Sequence, residues 1–364
     1  MVEENPPSDA MDEEQEPQPQ PGAVAEAFAD AIVAPCLILS TREEVLHMNP
    51  AAIHELPGAR IGEPISFAIR HPEFLNAMEE VRQTGTPHTV QVLQSFPNMT
   101  WYSITVAPLN LPEGESFDEF LLVTLENRTE QKRTETMRVD FVANVSHELR
   151  TPLTSLIGFV DTLLGAAAND KEARERFLPV MRQQAERMSK LIDDLLSLSR
   201  LELRQHVRPT EKTDLVALIL EVKEGLQTQI EKSGVKIELK IPEEPAFVTG
   251  DRDELYEVLE NLIDNALKYG GSGGRVDVEL RPTVRRTDFA FVLSVRDYGA
   301  GIAKAHVPRL TERFYRVEGE QNRQKKGTGL GLAIVKHIVS RHHGQLNISS
   351  TLQEGTRIEI LLPR

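Results

Sequence analysis

The chain has 364 residues, a length that predicts two or three domains with separate cores. Its formal net charge of −15 excludes a general nucleic-acid-binding surface, which requires a basic field, so we expect no direct contact with nucleic acid. The single cysteine, Cys36, excludes an internal disulfide, and no apolar run is long enough to predict a membrane span, so we expect a cytoplasmic protein as the sequence is written.

The first 22 residues are acidic and proline-rich, with seven acidic residues, five prolines and no basic residue. Such a segment buries too little apolar surface to offset its ordering entropy, so we predict disorder over 1–22. Residues 24–127 carry short apolar runs, a helix-like stretch that ends at Gly85, and three β-rich runs between turn residues. This pattern predicts an α+β domain with an antiparallel sheet.

Two long amphipathic segments follow a charged stretch, 128–140, that itself predicts a helix. A turn at 165–170 separates them, which predicts an antiparallel helical hairpin over 128–203. The apolar seam is too wide for one hairpin to cover, so we expect a homodimer that forms a four-helix bundle. In the first segment, the seam comprises Val142, Val145, Leu149, Leu153, Leu156, Val160 and Leu163. In the second, it comprises Phe177, Met181, Gln184, Met188, Leu191, Leu195 and Leu198.

A polar linker leads to a region in which helix and strand patterns interleave, which predicts an α/β sandwich over 213–364. We expect helices at 214–232, 253–269 and 330–343. Strands are expected at 235–241, 275–282, 289–297, 344–350 and 356–363.

His147 lies in the first seam helix, at a position that turns it away from the apolar seam. A surface histidine is the ordinary interpretation, but Glu148 is adjacent, Thr151 follows one turn later, and Pro152 lies inside the helical pattern. An interior proline costs about 3 kcal/mol, which suggests strain tolerated for function. Neutral imidazole is a nucleophile near neutral pH, and a neighbouring carboxylate can accept its second proton.

Two fragments in the C-terminal region carry side chains suited to a nucleotide, although no P-loop motif occurs. The first places Asn261, Asn265 and Lys268 on one helical face, followed by Tyr269, and offers amide oxygens for Mg²⁺ and a cation for phosphate. A polar outer helix face is an equally good interpretation of this fragment alone. In the second, Asp297 ends a strand and can accept a hydrogen bond from an exocyclic amine, although an ordinary turn would look similar.

Two glycine-rich fragments and a basic segment complete this pattern. The loop from Gly327 to Gly331 precedes a helix and can present amide groups to anionic oxygens, and Thr356 follows a glycine before the last strand. Between the fragment that begins at Asp297 and the loop that begins at Gly327, residues 303–326 contain seven Lys or Arg and three acidic residues, which suggests a basic lid. Arg316 is the candidate for contact with the γ-phosphate.

The segment FVANVSHELRTPLTSLIGF resembles the phosphoacceptor motif of the sensor histidine kinases. The resemblance implies that His147 is phosphorylated, that Glu148 is the general base, and that Thr151 positions water when the kinase dephosphorylates its partner.

The nucleotide fragments resemble, in order, the boxes of the GHKL-type ATP-binding domain shared by histidine kinases, gyrase and Hsp90-type chaperones. The resemblance implies ATP and Mg²⁺ as ligands, with Asn265 on the metal, Asn261 and Lys268 near the phosphates, and Asp297 on the adenine amine. It further implies that the pocket and its lid are shaped by Tyr269, Gly299, Gly301, Ile302, Arg316, Gly327, Thr328, Gly329, Leu330, Gly331 and Thr356.

Residues 24–127 resemble a PAS domain, which either receives a small-molecule or protein signal or only transmits and dimerises. Its exit motif begins at Asn127, where many relatives have Asp, and this difference weakens any signal-relay pair there. The order of the domains is most similar to that of phosphate-regulon sensor kinases, which are often anchored in the inner membrane with this portion on the cytoplasmic side. This similarity implies that the chain acts in phosphate-starvation signalling.

The resulting hypothesis is autophosphorylation of His147, transfer to the aspartate of a response-regulator receiver domain, and dephosphorylation of that regulator. Three alternatives stay open: a plain ATPase of the gyrase or chaperone type, a sensory adaptor with an inactive kinase module, and a mainly phosphatase role carried by Thr151.

Overall fold

A computed structural model describes residues 21–95, 99–110, 119–204, 206–283, 288–317 and 327–363. The chain forms two compact units, and the boundary between them lies between Asp140 and Phe141. The predicted disordered tail, 1–22, lies outside the described residues except at its end, where helix α1 begins at Pro21.

The first unit is built on a five-stranded antiparallel sheet with the strand order β2-β1-β5-β4-β3. Helix α3 ends as predicted, because Gly85 adopts a left-handed backbone and its amide donates to the carbonyl of Val81. The first two helices were not predicted, since both are short and the sequence gives them little periodicity. The elements are α1 (Pro21–Ala31), β1 (Cys36–Leu39), β2 (Val45–Met48), α2 (Pro50–Glu55), α3 (Pro72–Thr84), β3 (His88–Gln94), β4 (Thr100–Asn110) and β5 (Glu119–Asn127).

Helices α4 (Thr129–Leu164) and α5 (Lys171–Leu203) form the predicted hairpin. The carboxylate of Asp170 accepts from the amide of Ala173 at 2.9 Å and so caps α5. The rings of Phe159 and Phe177 lie 5.1 Å apart and join the two helices near the turn.

The C-terminal region is an α/β sandwich whose five-stranded sheet has the order β11-β12-β10-β9-β7. Only β7 and β9 pair in parallel among these strands. A two-stranded ribbon, β6 with β8, was not predicted, since three residues are too few to show a period. The elements are β6 (Lys212–Asp214), α6 (Leu215–Gly225), α7 (Gln227–Ser233), β7 (Lys236–Lys240), β8 (Phe247–Thr249), α8 (Arg252–Gly270), β9 (Arg275–Pro282), β10 (Phe291–Asp297), α9 (Gly331–Arg341), β11 (Gln345–Thr351) and β12 (Gly355–Leu362).

The single helix predicted over 214–232 is wrong, because the structure divides it into α6 and α7 at Leu226. Glycine at position 225 favours such an interruption. It also leaves room for Tyr256, because a Cβ atom on residue 225 would lie only 2.8 Å from the hydroxyl oxygen of Tyr256.

Helix α5 shares one hydrophobic core with the sandwich, to which it contributes Leu191, Leu198 and Leu201. The hairpin residues from Phe141 onward therefore belong to the same compact unit as the sandwich. The sequence predicts separate domains at 128–203 and 213–364, and those boundaries stay a prediction.

No helix in the part of the chain that the structure describes combines the length and the apolar character needed to cross a membrane.

Candidate functional site

A cavity of about 790 Å³ lies in the second unit, within the size range of about 300–1,000 Å³ that is usual for small-molecule sites. Its walls come from α5, α8, the loop after β10, the glycine-rich loop before α9, and β12. The structure thus brings together most of the predicted nucleotide residues. Those that line the cavity are Asn261, Asn265, Lys268, Tyr269, Asp297, Gly301, Ile302, Arg316, Gly327, Thr328, Gly329, Gly331 and Thr356.

Helix α8 presents its predicted polar face to this cavity. The amide nitrogen of Asn261 donates to the carbonyl of Glu257 at 2.9 Å, which orients the side chain. The side-chain oxygen of Asn261 lies so close to Gly331 that a Cβ atom there would be only 2.5 Å from it. Position 331 therefore requires glycine. Lys268 donates to Asp264 at 2.5 Å and is held at the cavity wall.

Asp297 lies at the end of β10, where its carboxylate accepts from the amide of Gly299 at 2.9 Å. Burial raises the pKa of Asp297, although this hydrogen bond partly opposes the shift. Gly270 packs so closely here that a Cβ atom on it would overlap the Asp297 side chain at 2.2 Å. A half-buried carboxylate that faces a cavity is suited to accept a hydrogen bond from a ligand amine.

The loop after Asp297 is fixed by a residue that the sequence did not indicate, Ser350. Its hydroxyl accepts from the amide of Ile302 at 2.8 Å and lies 2.9 Å from the hydroxyl of Thr356. Gly301 has φ of +68°, and a Cβ atom on it would lie 2.0 Å from the carbonyl oxygen of Thr351. Only a glycine fits this turn, and the turn places Ile302 at the cavity.

Two of the predicted pocket residues, Gly299 and Leu330, are not among the lining residues. Gly299 acts through its amide on Asp297, and Leu330 is fully buried at the start of α9. The predicted lid is described only up to residue 317, because its remainder, 318–326, lies outside the described residues. Of the described portion, Tyr315 and Arg316 line the cavity, and the hydroxyl of Tyr315 lies 2.6 Å from Nδ1 of His306.

Helix α5 supplies a wall of the cavity that the sequence did not indicate. Lys190 lies 3.3 Å from the carboxylate of Asp264, and the hydroxyl of Thr328 donates to Asp194 at 2.7 Å. Burial would lower the pKa of Lys190, but the carboxylates of Asp264 and Asp194 raise it. Polar or charged residues recur on one face of α5 at 183, 186, 187, 190 and 194, and this stripe is the signal that could have indicated the wall.

His147 is exposed on α4, as its position in the helical pattern predicts, but it does not line the cavity. The hydroxyl of Thr151 donates to the backbone carbonyl of His147 at 3.2 Å. The carboxylate of Glu148 accepts from Arg187 of α5 at 2.7 Å. Pro152, one residue past Thr151, is buried inside the helix.

The donors around the cavity fit a nucleotide triphosphate with one divalent cation. Lys268 and Lys190 offer positive charge, and Asn265 offers the amide oxygen that Mg²⁺ accepts. Within the described ranges, no three His, Cys, Asp or Glu side chains form a group that could hold a metal by itself. Mg²⁺ usually takes much of its coordination from phosphate and water, so one amide oxygen at Asn265 suits it.

Two protein families match parts of this chain. Residues 250–364 match the histidine kinase-, DNA gyrase B-, and HSP90-like ATPase family. Residues 137–204 match the His Kinase A (phospho-acceptor) domain.

Two bacterial sensor proteins are similar to this chain. The sensor histidine kinase WalK of Bacillus subtilis is 36% identical over 243 residues, which are 67% of this chain and 39% of WalK. The phosphate regulon sensor protein PhoR of Pseudomonas aeruginosa is 36% identical over 301 residues, which are 81% of this chain and 63% of PhoR. The chain therefore spans less than two thirds of the length of these relatives.

Solved structures of histidine kinases are also similar. The Acinetobacter baumannii histidine kinase AdeS is 27% identical, with a TM-score of 0.45 over 60% of this chain and 97% of the AdeS chain. The histidine kinase ThkA, in a complex with the response regulator protein TrrA, is 18% identical, with a TM-score of 0.48 over 93% of this chain and 98% of that one.

Proposed function

The chain belongs to the sensor histidine kinases of two-component systems, and we propose that it transfers the γ-phosphoryl group of ATP to His147 and then to an aspartate of a response regulator. The observation that carries the proposal is the cavity in which Asn265, Lys268 and Asp297 converge, in the same compact unit as the exposed His147.

The first step follows from the chemistry of imidazole. The unprotonated ring nitrogen of His147 attacks the γ-phosphorus, an N–P bond forms, and the bond from that phosphorus to the bridging oxygen breaks, so that ADP leaves with the electron pair. The proton of the other ring nitrogen passes to the carboxylate of Glu148. A receiver aspartate oxygen then attacks the same phosphorus and the N–P bond breaks. The ring regains a proton from the Glu148 carboxyl group and leaves as neutral imidazole.

The cavity residues position and neutralise the nucleotide. Lys268, Lys190 and Arg316 would face the phosphates, and the half-buried carboxylate of Asp297 would accept from the adenine amine. Mg²⁺ held at Asn265 would offset negative charge on the transferred group. Because His147 does not line the cavity of its own chain, transfer needs either a movement of the hairpin relative to the sandwich or a nucleotide held by the partner chain.

We propose a homodimer formed through the hairpin. Its helices leave a set of large apolar side chains on the surface that a second copy would bury. Three of these side chains, Val142, Leu153 and Val160, belong to the predicted seam. The others were not assigned to it, and they are Ile157 and Leu164 on α4, with Leu178, Ile192 and Leu196 on α5.

The first unit is proposed to be a PAS-like sensory domain, and the regulator to be one that acts in phosphate-starvation signalling, as the similarity to PhoR suggests. ATP is a cytoplasmic substrate, so the proposal places this part of the chain in the cytoplasm. Transfer from the labelled protein to a panel of receiver domains would identify the regulator as the one labelled fastest.

The test of the proposed kinase activity uses ATP labelled at the γ-phosphate. His147→Gln is expected to abolish incorporation of label while the affinity for ATP with Mg²⁺ stays unchanged. Persistent labelling of this variant would overturn the assignment of His147. ATP hydrolysis much faster than labelling would favour a plain ATPase, and failure to bind ATP with Mg²⁺ would favour an inactive adaptor.

A phosphatase role is proposed for the same site, since Thr151 is exposed one turn from His147. Thr151→Ala is expected to raise the level of phosphorylated regulator, and a lower level would contradict this role.

A further inference from the structure

Arg187 connects the proposed general base to the nucleotide cavity. Its Nη2 atom donates to Oε2 of Glu148 across 2.7 Å, and this contact joins the middle of α5 to the residue that follows His147. The side chains are 25% and 34% exposed, so the pair is partly shielded from water. Such a pair holds its geometry better than a fully solvated one.

Arg187 also lines the cavity, as does Lys190 one helical turn later. The two cations are held by carboxylates from different helices. Lys190 pairs with Asp264 of α8 at 3.3 Å, whereas Arg187 pairs with Glu148 of α4. Of these two cations on α5, only Arg187 therefore reaches the helix that carries His147.

The guanidinium group suits a shared role. It has five N–H donors in a fixed fork, and one contact to Glu148 leaves donors that can face the cavity. The glutamate side chain has several rotatable bonds, and a proton acceptor is effective only when it is held near the donor. The contact with Arg187 fixes this carboxylate and therefore favours proton transfer from the imidazole to Glu148.

We propose that Arg187 is a positioning residue for the phosphorylation of His147: it holds the Glu148 carboxylate beside the histidine and couples that base to the nucleotide cavity. The inference rests on the proposed kinase function.

The test compares Arg187→Ala with the wild-type chain in initial rates of self-labelling over a range of ATP concentrations. We expect kcat to fall at least about tenfold while KM for ATP changes by less than about threefold, because the change misplaces the base. Arg182→Ala is the matched control, since Arg182 lies on the same helix, pairs with Glu186 at 2.8 Å and is 82% exposed. This control is expected to keep wild-type rates.

A double-mutant cycle shows whether Arg187 acts through Glu148. In a Glu148→Gln background, Arg187→Ala is expected to lower kcat by less than about twofold, because the carboxylate that it positions is absent. The full loss in that background, an unchanged kcat in Arg187→Ala, or a rise in KM alone would overturn the proposal. Calorimetric binding of ATP with Mg²⁺ to Arg187→Ala shows that the variant is folded.

The two hypotheses fail differently. Wild-type chain that binds ATP without labelling His147 would overturn the proposed function and this inference with it. Wild-type chain that labels normally, beside an Arg187→Ala variant that labels equally well, would overturn only the role of Arg187.

Discussion

Thr328 of the glycine-rich loop donates a hydrogen bond of 2.7 Å to the carboxylate of Asp194 on α5. One partner belongs to the predicted nucleotide pocket and the other to the helical hairpin. The bond therefore attaches the loop that would face the phosphates to a helix of the phosphoacceptor hairpin.

Asp194→Asn is expected to change how stability depends on pH. Burial raises the pKa of Asp194, while Thr328 and Lys190 partly oppose the shift. A raised pKa in the folded state means a contribution to stability that is complete below the ordinary value of 3.8 and lost as the pH rises through the raised value. The Tm of the variant minus that of the wild type should therefore increase between pH 4 and pH 7. Asp193→Asn, an exposed neighbour, serves as the control, and parallel pH curves for all three chains would contradict the prediction.

Asp297→Asn is expected to weaken ATP binding about 10–100-fold, because it replaces a half-buried acceptor with an amide that can present a donor to the adenine amine. The fold should be retained, since the amide oxygen can still accept from Gly299. Calorimetry of ATP binding measures the effect. Asp253→Asn, at a residue whose side chain is 94% exposed on α8, should bind as the wild type does. Equal affinities for both variants would exclude Asp297 from nucleotide recognition.

Gly301→Ala is expected to cost about 3 kcal/mol or more of unfolding free energy and to abolish nucleotide binding. Gly274→Ala provides the comparison, because its φ of +66° is nearly the same as the +68° of Gly301 but nothing lies within 4 Å of its added Cβ. Both variants carry the left-handed strain of about 1–2 kcal/mol, whereas only Gly301→Ala adds an overlap with the backbone of Thr351. Urea unfolding measures both losses, and equal losses would mean that the turn relaxes freely.

Ile157→Glu is expected to convert the proposed dimer to a monomer. Ile157 is 53% exposed in the single chain, and a buried carboxylate at the centre of a bundle carries a large desolvation penalty. Sedimentation of the purified chain gives the oligomeric state. Ser155→Glu adds the same charge about 200° round the helix and should leave the dimer intact. A dimer that survives Ile157→Glu would place the interface elsewhere.

Much of the architecture could be predicted from local patterns. The hairpin turn at 165–170 follows from a gap between two long periodic segments, and the end of α3 follows from Gly85. The polar face of α8 and the glycine corners likewise lie near one cavity, since each depends on spacing within a short segment.

The role of α5 could not be predicted. An apolar stripe on a helix indicates that the helix packs against another surface, but it does not identify that surface. Leu191 and Leu198 are assigned by periodicity to the hairpin seam, yet both are buried in the core shared with the sandwich. The contacts of Lys190 and Arg187 depend on that docking. They join residues far apart in sequence, and no local spacing encodes them.

The proline in α4 has a mechanical consequence. Pro152 has no amide hydrogen, so the carbonyl of Glu148 receives no helical hydrogen bond from the position four residues later. On either side, the hydroxyls of Thr151, Thr154 and Ser155 donate to carbonyls four residues earlier, and such bonds weaken the regular ladder. The helix is therefore most compliant directly beside the imidazole. Helix α4 can then bend so that His147 approaches a nucleotide at one moment and a regulator at another, without unfolding.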